Sequence, residues 1–147
     1  MKALSLTQPW ASAIMFGHKR IETRSWNTTH RGRIAIHAAK GFPKWAKEFA
    51  QEERFLGRMP GRLPLMAIVG FATITGMRRT EDMVGEVSGL ERRYGDYGPG
   101  RWAWMLSDIL PIPDDKIVPA MGALGLWSVP EEIDVVLRDL LRDMGRL

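Results

Sequence analysis

Side chains that could do chemistry are concentrated between residues 17 and 26, in the segment GHKRIETRSW. Lys19 and Glu22 stand three residues apart, and Arg24 and Trp26 follow at alternate positions. In a helix, Lys19 and Glu22 would be neighbours on one face. In an extended chain, Glu22, Arg24 and Trp26 would share a face instead, because strand side chains alternate. Since the glycine that opens the segment is a good stop for a preceding helix, we predict a turn and then an extended run.

The net charge of the chain is confined to this neighbourhood. Residues 18–33 hold five basic residues and one acid, a net charge of +4, and the whole chain also has a net charge of +4. The remaining residues are therefore neutral as a set. A local excess of positive charge attracts phosphate or another anion. The alternative interpretation is a solvated basic loop without a ligand, which is what charge runs commonly are.

This set of side chains suits three roles. Lysine and arginine beside tryptophan can bind nucleic acid, with the cations on phosphates and the indole stacked on an unpaired base. A lysine that is partly buried beside an arginine is easier to deprotonate, so Lys19 could instead act as a base, with Glu22 as the acid or as the group that orients water. The third role is structural, in which an ion pair between these two residues only shapes the turn.

The length and composition of the chain bound the class of protein. A chain of 147 residues fits one domain with a hydrophobic core of its own. There is no cysteine, so disulfides and thiolate metal sites are excluded. The first residues turn polar too early for a signal peptide, and no apolar run approaches the roughly 20 residues of a membrane span. We therefore expect a soluble cytoplasmic protein with no membrane partner.

The elements that must position the segment are short strands interspersed with helices. Strand patterns occur at residues 3–6, 33–38, 65–75, 101–106 and 124–127, and helix patterns at 7–16, 43–56 and 130–144. The strand at 65–75 is apolar enough to be buried on both faces, and Gly70 within it indicates a bulge or a close backbone approach. Residues 77–90 are ambiguous. The pattern predicts an α+β fold, with a small β-barrel and helices at its mouth.

Several familiar catalytic patterns are missing from the sequence. There is no P-loop, no dinucleotide fingerprint and no nucleophile elbow, and the three histidines lack metal-ligand spacing. We therefore predict no cofactor and no metal. His37 falls on the face of its strand opposite to Ile34 and Ile36, where a histidine is more often structural than catalytic. Nothing in the sequence points to a Ser-His-Asp triad.

Two segments resemble the ASCH domain family of the PUA-like superfamily. Residues 4–11 (LSLTQPWA) are similar to the opening of that family, and residues 17–26 carry its signature G-x-K-x-x-E-x-R. Weaker similarities follow in the right order at 31–40, 65–70, 95–104 and 122–127. The resemblance covers roughly residues 3–130 of a single domain spanning 1–147, and the helix at about 130–144 is an addition to it.

The resemblance implies a small PUA-like β-barrel with surrounding helices, a cleft beside the signature, and binding of RNA or another nucleic acid. It also implies a hydrolytic alternative, since one branch resembles an amidohydrolase that removes an acyl group from a modified cytidine with a lysine, a threonine and a glutamate, and another is reported as a ribonuclease. Lys19 matches that lysine, but Glu22 stands at the position of the threonine. The distal glutamate corresponds to Glu86 or Glu91.

We therefore predict an ASCH-like domain that binds RNA, another single-stranded nucleic acid or a nucleotide-like ligand in a basic cleft. Lys19 and Arg24 would contact phosphate, and Glu22 would read a base or pair with Lys19. Trp26 and Trp10 would offer stacking faces. The full set of candidate binding residues is Gln8, Trp10, Lys19, Glu22, Arg24, Ser25, Trp26 and Arg31. The alternatives are a hydrolase acting on RNA or on an acyl-modified nucleoside, with Lys19 as base and Glu22 as acid, and an interaction module with no nucleic-acid role.

Overall fold

The computed structural model describes all 147 residues, in seven strands, four α-helices and two short 3-10 helices. The strands are β1 (Lys2–Leu6), β2 (Ile21–Arg24), β3 (Gly32–Ala38), β4 (Ala67–Arg79), β5 (Trp102–Pro111), β6 (Val118–Pro119) and β7 (Leu126–Ser128). The α-helices are α1 (Trp10–Met15), α2 (Lys44–Phe55), α3 (Gly89–Arg93) and α4 (Glu131–Asp143). The 3-10 helices are Thr80–Met83 and Asp114–Lys116.

The seven strands form one curled, half-barrel sheet. Neighbours follow the order β2, β5, β4, β3, β1 and β7, and β6 pairs with β4. The β1–β3 pair is parallel, whereas the other pairs are antiparallel. With helices packed on this mixed sheet, the predicted α+β class is confirmed.

Alternation of side chains along the strands gives the sheet two apolar faces. Leu4 and Leu6 of β1 belong to the core cluster that packs against α1. Ala3, on the other face of the same strand, belongs to a second cluster that includes Leu137 and Leu141 of α4. Strand β4 contributes to both clusters and is therefore buried on both faces, as its apolar sequence predicts.

Gly70 lies where β4 meets an irregular register and a close neighbouring backbone. The β3–β4 register shifts between Ile36 and His37, next to the partner position of Gly70. A Cβ atom at Gly70 would lie 2.5 Å from the main-chain oxygen of Leu110 and would also collide with the sulfur of Met15. Both the predicted bulge and the predicted close approach are therefore present.

Several predicted element ends differ from the structure. The central strand occupies Ala67–Arg79 rather than 65–75, and β5 continues to Pro111 rather than ending at residue 106. The longer β5 is explained by pairing, because β4 offers it a partner as far as Gly70. Beyond Met105 only β4 pairs with β5, so Pro111 lies on a free edge, where a proline is tolerated. Leu124 was predicted in the last strand, but it precedes β7 and is 97% exposed. The ambiguous residues 77–90 divide between the end of β4, a 3-10 helix and the start of α3.

Candidate functional site

A cleft of about 570 Å³ lies beside the signature segment, where β1 leads into α1 and β2 ends. We call it the arginine cleft, because Arg24, Arg93 and Arg101 are on its wall. Its lining residues are Ser5, Leu6, Thr7, Trp10, Glu22, Thr23, Arg24, Trp45, Arg93, Tyr94, Gly95, Asp96 and Arg101. Three of the predicted binding residues, Trp10, Glu22 and Arg24, are therefore brought together in one cavity.

Lys19 lies beneath the cleft rather than on its wall. Its side chain has no solvent exposure, and Nζ donates to the main-chain oxygens of Ile21 at 2.6 Å and Tyr94 at 2.9 Å. The third neighbour of Nζ is Glu22 Oε1 at 3.2 Å. An ammonium group has three N–H donors and no acceptor, so its hydrogen-bonding capacity is used inside the protein. This placement is inconsistent with the predicted direct phosphate contact and favours the structural role of the Lys19–Glu22 pair.

Glu22 is held as a carboxylate by two cations. Oε1 accepts from Lys19 and from the main-chain N–H of Thr23, and Oε2 accepts from Arg24 Nε at 2.9 Å. Burial by itself raises the pKa of Glu22, but the charges of Lys19 and Arg24 outweigh it and hold that pKa below its usual value. A carboxylate stabilised in this way is poorly suited to donate a proton, so the site gives no support to Glu22 as a general acid.

The guanidinium groups are the cations that the cleft presents to a ligand. Arg24 is half-buried and bridges two elements, since Nε contacts Glu22 and Nη2 donates to the main-chain oxygen of Ser5 at 2.9 Å. Arg101 Nη2 donates to the main-chain oxygen of Thr23 at 3.2 Å. With Arg93, the wall carries three arginines against two acids, Glu22 and Asp96. Guanidinium groups bind phosphate and carboxylate with a planar pair of donors, so the wall is suited to an anion.

A buried carboxylate, Glu53 of α2, fixes one wall of the cleft. It accepts two hydrogen bonds from Arg58, one from Arg93 Nε at 2.8 Å and one from the Tyr94 hydroxyl. Burial alone would raise the pKa of Glu53, but these donors lower it to about 2. Burial and the contact with Glu53 raise the pKa of Tyr94 to about 12. These hydrogen bonds hold Arg93 and Tyr94 against α2 in the absence of a ligand.

Aromatic rings form a continuous row from the core to the mouth of the cleft. The ring centroids of Trp45 and Trp10 are 5.6 Å apart, those of Trp10 and Phe49 are 5.1 Å apart, and those of Phe49 and Tyr94 are 5.7 Å apart. Trp45, at the outer end of the row, is 62% exposed. Trp45 was not among the binding residues predicted from the sequence. Its position in the first turn of α2, next to the loop, is the signal that could have identified it.

The other predicted binding residues do not line the cleft. Gln8 is buried and bonds with Ser12 and with the main-chain oxygen of Pro64. The ring of Trp26 packs edge-on against Trp104, with centroids 4.8 Å apart. Ser25 and Arg31 are exposed, and Arg31 Nη1 donates only to nearby main-chain oxygens of the loop before β3. The structure therefore places these residues outside the predicted ligand site.

The two glutamates considered for a distal catalytic role also lie outside the cleft lining. Glu91 is buried, and its Oε1 accepts from the main-chain N–H of Arg20 at 2.6 Å. Burial raises the pKa of Glu91 even though this hydrogen bond acts against it. Glu86 is exposed and pairs with Arg78 at 2.8 Å. Glu91 thus helps to fix the turn before β2, while Glu86 has no contact with that turn.

Two negative findings bear on the chemistry of the chain. No group of three or more histidine, aspartate or glutamate side chains has the arrangement of a metal site. None of the helices combines the length and the apolar character needed to cross a bilayer.

Comparison with known proteins identifies the family. The model of the ASCH domain matches residues 4–105. The chain belongs to the ASCH domain family. The ASCH domain is generally thought to bind RNA, which supports nucleic-acid binding at the level of the family.

Two curated relatives share a segment with this ASCH domain. Human activating signal cointegrator 1 is 49% identical over 55 residues, which are 36% of this chain and 10% of that protein. The protein of the same name from Mus musculus is 60% identical over 35 residues, which are 24% of this chain and 6% of that protein. The chain therefore matches a tenth or less of the length of these relatives.

Solved structures agree with the fold. The crystal structure of ASCH from Zymomonas mobilis aligns with a TM-score of 0.59 and 19% identity, covering 95% of this chain and 94% of that chain. A variant of that protein with one tyrosine replaced by phenylalanine aligns with the same TM-score and 18% identity, covering 95% of this chain and 96% of that chain. These matches confirm an α+β, PUA-like half-barrel.

Proposed function

We propose that the arginine cleft binds single-stranded RNA, with phosphate at Arg24 and Arg101 and an unpaired base on Trp45. The observation that carries this proposal is that an exposed indole and three guanidinium groups line the same cavity. Phosphate contacts give affinity without sequence preference, and aromatic stacking accepts any base. We therefore expect the domain to bind unpaired RNA without preference for a particular sequence.

Arg101 offers a donor that the protein itself leaves unused. Its Nε is buried and has no hydrogen-bond partner, and the nearest acid, Asp96, lies 3.6 Å away at Oδ2. A buried N–H without an acceptor costs free energy that a ligand oxygen can recover. A phosphate bound beside Arg101 would supply this missing acceptor when the side chain turns its Nε toward the cleft.

Trp45 supplies the stacking face. An indole that is 62% exposed is supported from behind by Trp10, whose ring is tilted by 49° relative to it. Trp10 in turn packs on Phe49. The outer face of the indole is thus held in place but left uncovered. Bases in a duplex are already stacked on each other, so this face favours unpaired bases.

The test measures binding of a short, labelled, single-stranded RNA by the wild-type chain over a series of salt concentrations, with DNA and duplex RNA of the same sequence alongside. The affinity should fall steeply with salt, and duplex RNA should bind more weakly. In Arg101→Gln, the affinity should fall for every sequence and the salt slope should decrease by about 1. Arg142→Gln is the matched control, because Arg142 is exposed on α4 and pairs only with Asp139.

Affinity that does not change with salt would overturn the phosphate contacts. Equal losses in Arg101→Gln and Arg142→Gln would show that the net charge of the chain, rather than the cleft, attracts RNA. Displacement of the RNA by a free nucleotide at similar concentration would identify a nucleotide-sized ligand instead of a polymer. Thermal unfolding of both variants checks that each retains the fold.

A further inference from the structure

Asp96 places a carboxylate in the arginine cleft, beside the guanidinium groups that are proposed to hold phosphate. Its side chain is 69% exposed, and the residue is part of the cleft lining. The only other acid on that lining is Glu22. Glu22 is largely neutralised, because Lys19 and Arg24 both contact it. Asp96 is therefore the acid that a ligand in this cleft meets.

Hydrogen bonds in the turn after α3 hold Asp96 in position. Its main-chain N–H donates to Thr23 Oγ1 at 2.9 Å, and its Oδ1 accepts from the main-chain N–H of Gly98 at 3.0 Å. Oδ2 accepts no hydrogen bond from the protein, and the cation paired with it, Arg101 Nε, lies 3.6 Å away. One oxygen of the carboxylate is thus used by the turn, and the other is available to a ligand.

A phosphate at Arg101 changes the surroundings of this free oxygen. The proposed anion contact turns Arg101 Nε toward the ligand, and Asp96 is paired with no other cation. The carboxylate and the phosphate are both negative, and as close neighbours they repel each other. A ligand that brings a hydrogen-bond donor beside its phosphate offsets this repulsion, because a hydrogen bond to a charged acceptor is among the stronger ones.

The sugar of RNA carries such a donor in the required place. The 2′-hydroxyl and the 3′-phosphate are attached to neighbouring carbon atoms of the ribose, so covalent geometry keeps the hydroxyl beside the phosphate. This hydroxyl both donates and accepts hydrogen bonds, and it is the group by which a protein distinguishes RNA from DNA. Carboxylates also bind ribose hydroxyls in dinucleotide sites. DNA has no hydroxyl at this position, so the repulsion between Asp96 and the phosphate is not offset.

We propose that Asp96 Oδ2 accepts a hydrogen bond from the 2′-hydroxyl of the nucleotide whose 3′-phosphate is bound at Arg101, and that the arginine cleft thereby selects ribose over deoxyribose. This inference rests on the proposed binding of single-stranded RNA, and it names the chemical group by which the site recognises its ligand. Arg24 and Trp45 contact phosphate and base, which RNA and DNA share. Asp96 contacts a group that DNA lacks, so it is the residue that determines specificity for the sugar.

The first experiment measures binding of two labelled oligonucleotides that contain only uracil, one with ribose and one with deoxyribose. The wild-type chain should bind the ribose form about 10- to 100-fold more tightly, which is the effect of one hydrogen bond to a charged acceptor. In Asp96→Asn, the amide oxygen can still accept from Gly98, but an NH2 group replaces Oδ2. The affinity for the deoxyribose form should therefore rise, and the ratio of the two affinities should fall to about 1. Asp143→Asn is the matched control, because it removes an exposed acid at the end of α4 and should leave the ratio unchanged.

The second experiment uses only the wild-type chain, so it stands even if Asp96→Asn does not fold. Dinucleotides of uridine joined by one phosphate compete with the labelled RNA, with deoxyribose at neither sugar, at the first or at the second. Only deoxyribose at the first sugar, which carries the 3′-phosphate, should weaken competition. Equal losses at both sugars, or a loss at the second alone, would overturn the contact. Equal binding of the ribose and deoxyribose oligonucleotides would overturn the contact but not the binding of RNA, whereas binding of neither would overturn the proposed function and this contact together.

Discussion

The ammonium of Lys19 donates a hydrogen bond of 2.9 Å to the main-chain oxygen of Tyr94, 75 residues further along the chain. The same ammonium contacts Ile21 and Glu22, so it joins the turn before β2 to the turn after α3. Strand β2, which follows that turn, and the turn after α3 both contribute to the wall of the arginine cleft. The signature lysine therefore holds the cleft in shape from below.

Replacement of Lys19 should lower the free energy of unfolding of the chain, whether or not a ligand is bound. In Lys19→Met, Glu22 loses one of its two cations and two main-chain oxygens lose their donor. Breaking a buried pair by removing one partner typically costs about 3–5 kcal/mol. Urea unfolding at neutral pH measures this loss. Lys44→Met is the control, because the Lys44–Glu48 pair is exposed and is expected to contribute less than about 1 kcal/mol. Wild-type stability with lost RNA binding would instead make Lys19 a ligand contact.

Trp45 should contribute to RNA binding through stacking alone. Trp45→Ala is expected to weaken single-stranded RNA binding by about 1–3 kcal/mol, with the salt slope unchanged, because no charge is removed. Trp45→Phe should retain part of the affinity. Phe55→Ala is the control on the same helix, since Phe55 is 90% exposed but does not line the cleft. If Phe55→Ala weakens binding as much as Trp45→Ala does, the RNA lies along α2 and outside the cleft. Fluorescence anisotropy with one labelled RNA compares all three variants.

Glu53 should make the free energy of unfolding depend on pH in the acid range. Its pKa falls from 4.5 to about 2 on folding, so its carboxylate stabilises the folded chain above 4.5 and this contribution is lost as the pH falls through about 2. A shift of this size corresponds to about 3 kcal/mol. The gap in unfolding free energy between the wild type and Glu53→Gln should therefore narrow by about that amount on acidification.

The matched control for this pH dependence is Glu52→Gln. Glu52 lies next to Glu53 on α2, but its side chain is 68% exposed and it contacts only Arg93. Glu52→Gln should change the free energy of unfolding only slightly, and by the same amount across this pH range. If the difference in unfolding free energy between the wild type and Glu53→Gln also does not change with pH, the buried network does not hold the carboxylate in its ionised form.

Gly70 should tolerate no side chain. Gly70→Ala would place a methyl group 2.5 Å from the main-chain oxygen of Leu110, and a backbone atom paired in a sheet cannot move away freely. Overpacking of this kind costs about 1–3 kcal/mol. Gly76→Ala, in the same strand, has no atom within 4 Å of the new Cβ and should have little effect. Thermal unfolding of the two variants tests the difference, and equal midpoints would show that the sheet adjusts.

The sequence predicted those parts of the fold that depend on local pattern. Alternation and β-branched residues located β3 and β4, and the amphipathic stripe located α4. The spacing of Glu22 and Arg24 correctly placed both on the cleft face of β2. These features depend on neighbours two to four residues apart, which the sequence displays directly.

The rest of the site depends on contacts between distant segments. Trp45 and Arg101 reach the cleft from α2 and from the start of β5, and no local pattern fixes how those elements approach β2. Lys19 was predicted to contact phosphate because it lies in the segment that carries the excess positive charge. In the folded chain, three acceptors compensate for its burial.

The position of β7 beside β1 has a consequence for how much of the chain forms one stable unit. The family model ends at residue 105, but Leu126–Ser128 supply the backbone partner for Lys2–Leu4. A chain shortened to the matched region would expose an unpaired sheet edge, together with the apolar surface that α4 covers. Exposed edges of this kind recruit strands from other molecules and cause aggregation. We therefore expect a chain that ends with the family match to be less stable than the full chain.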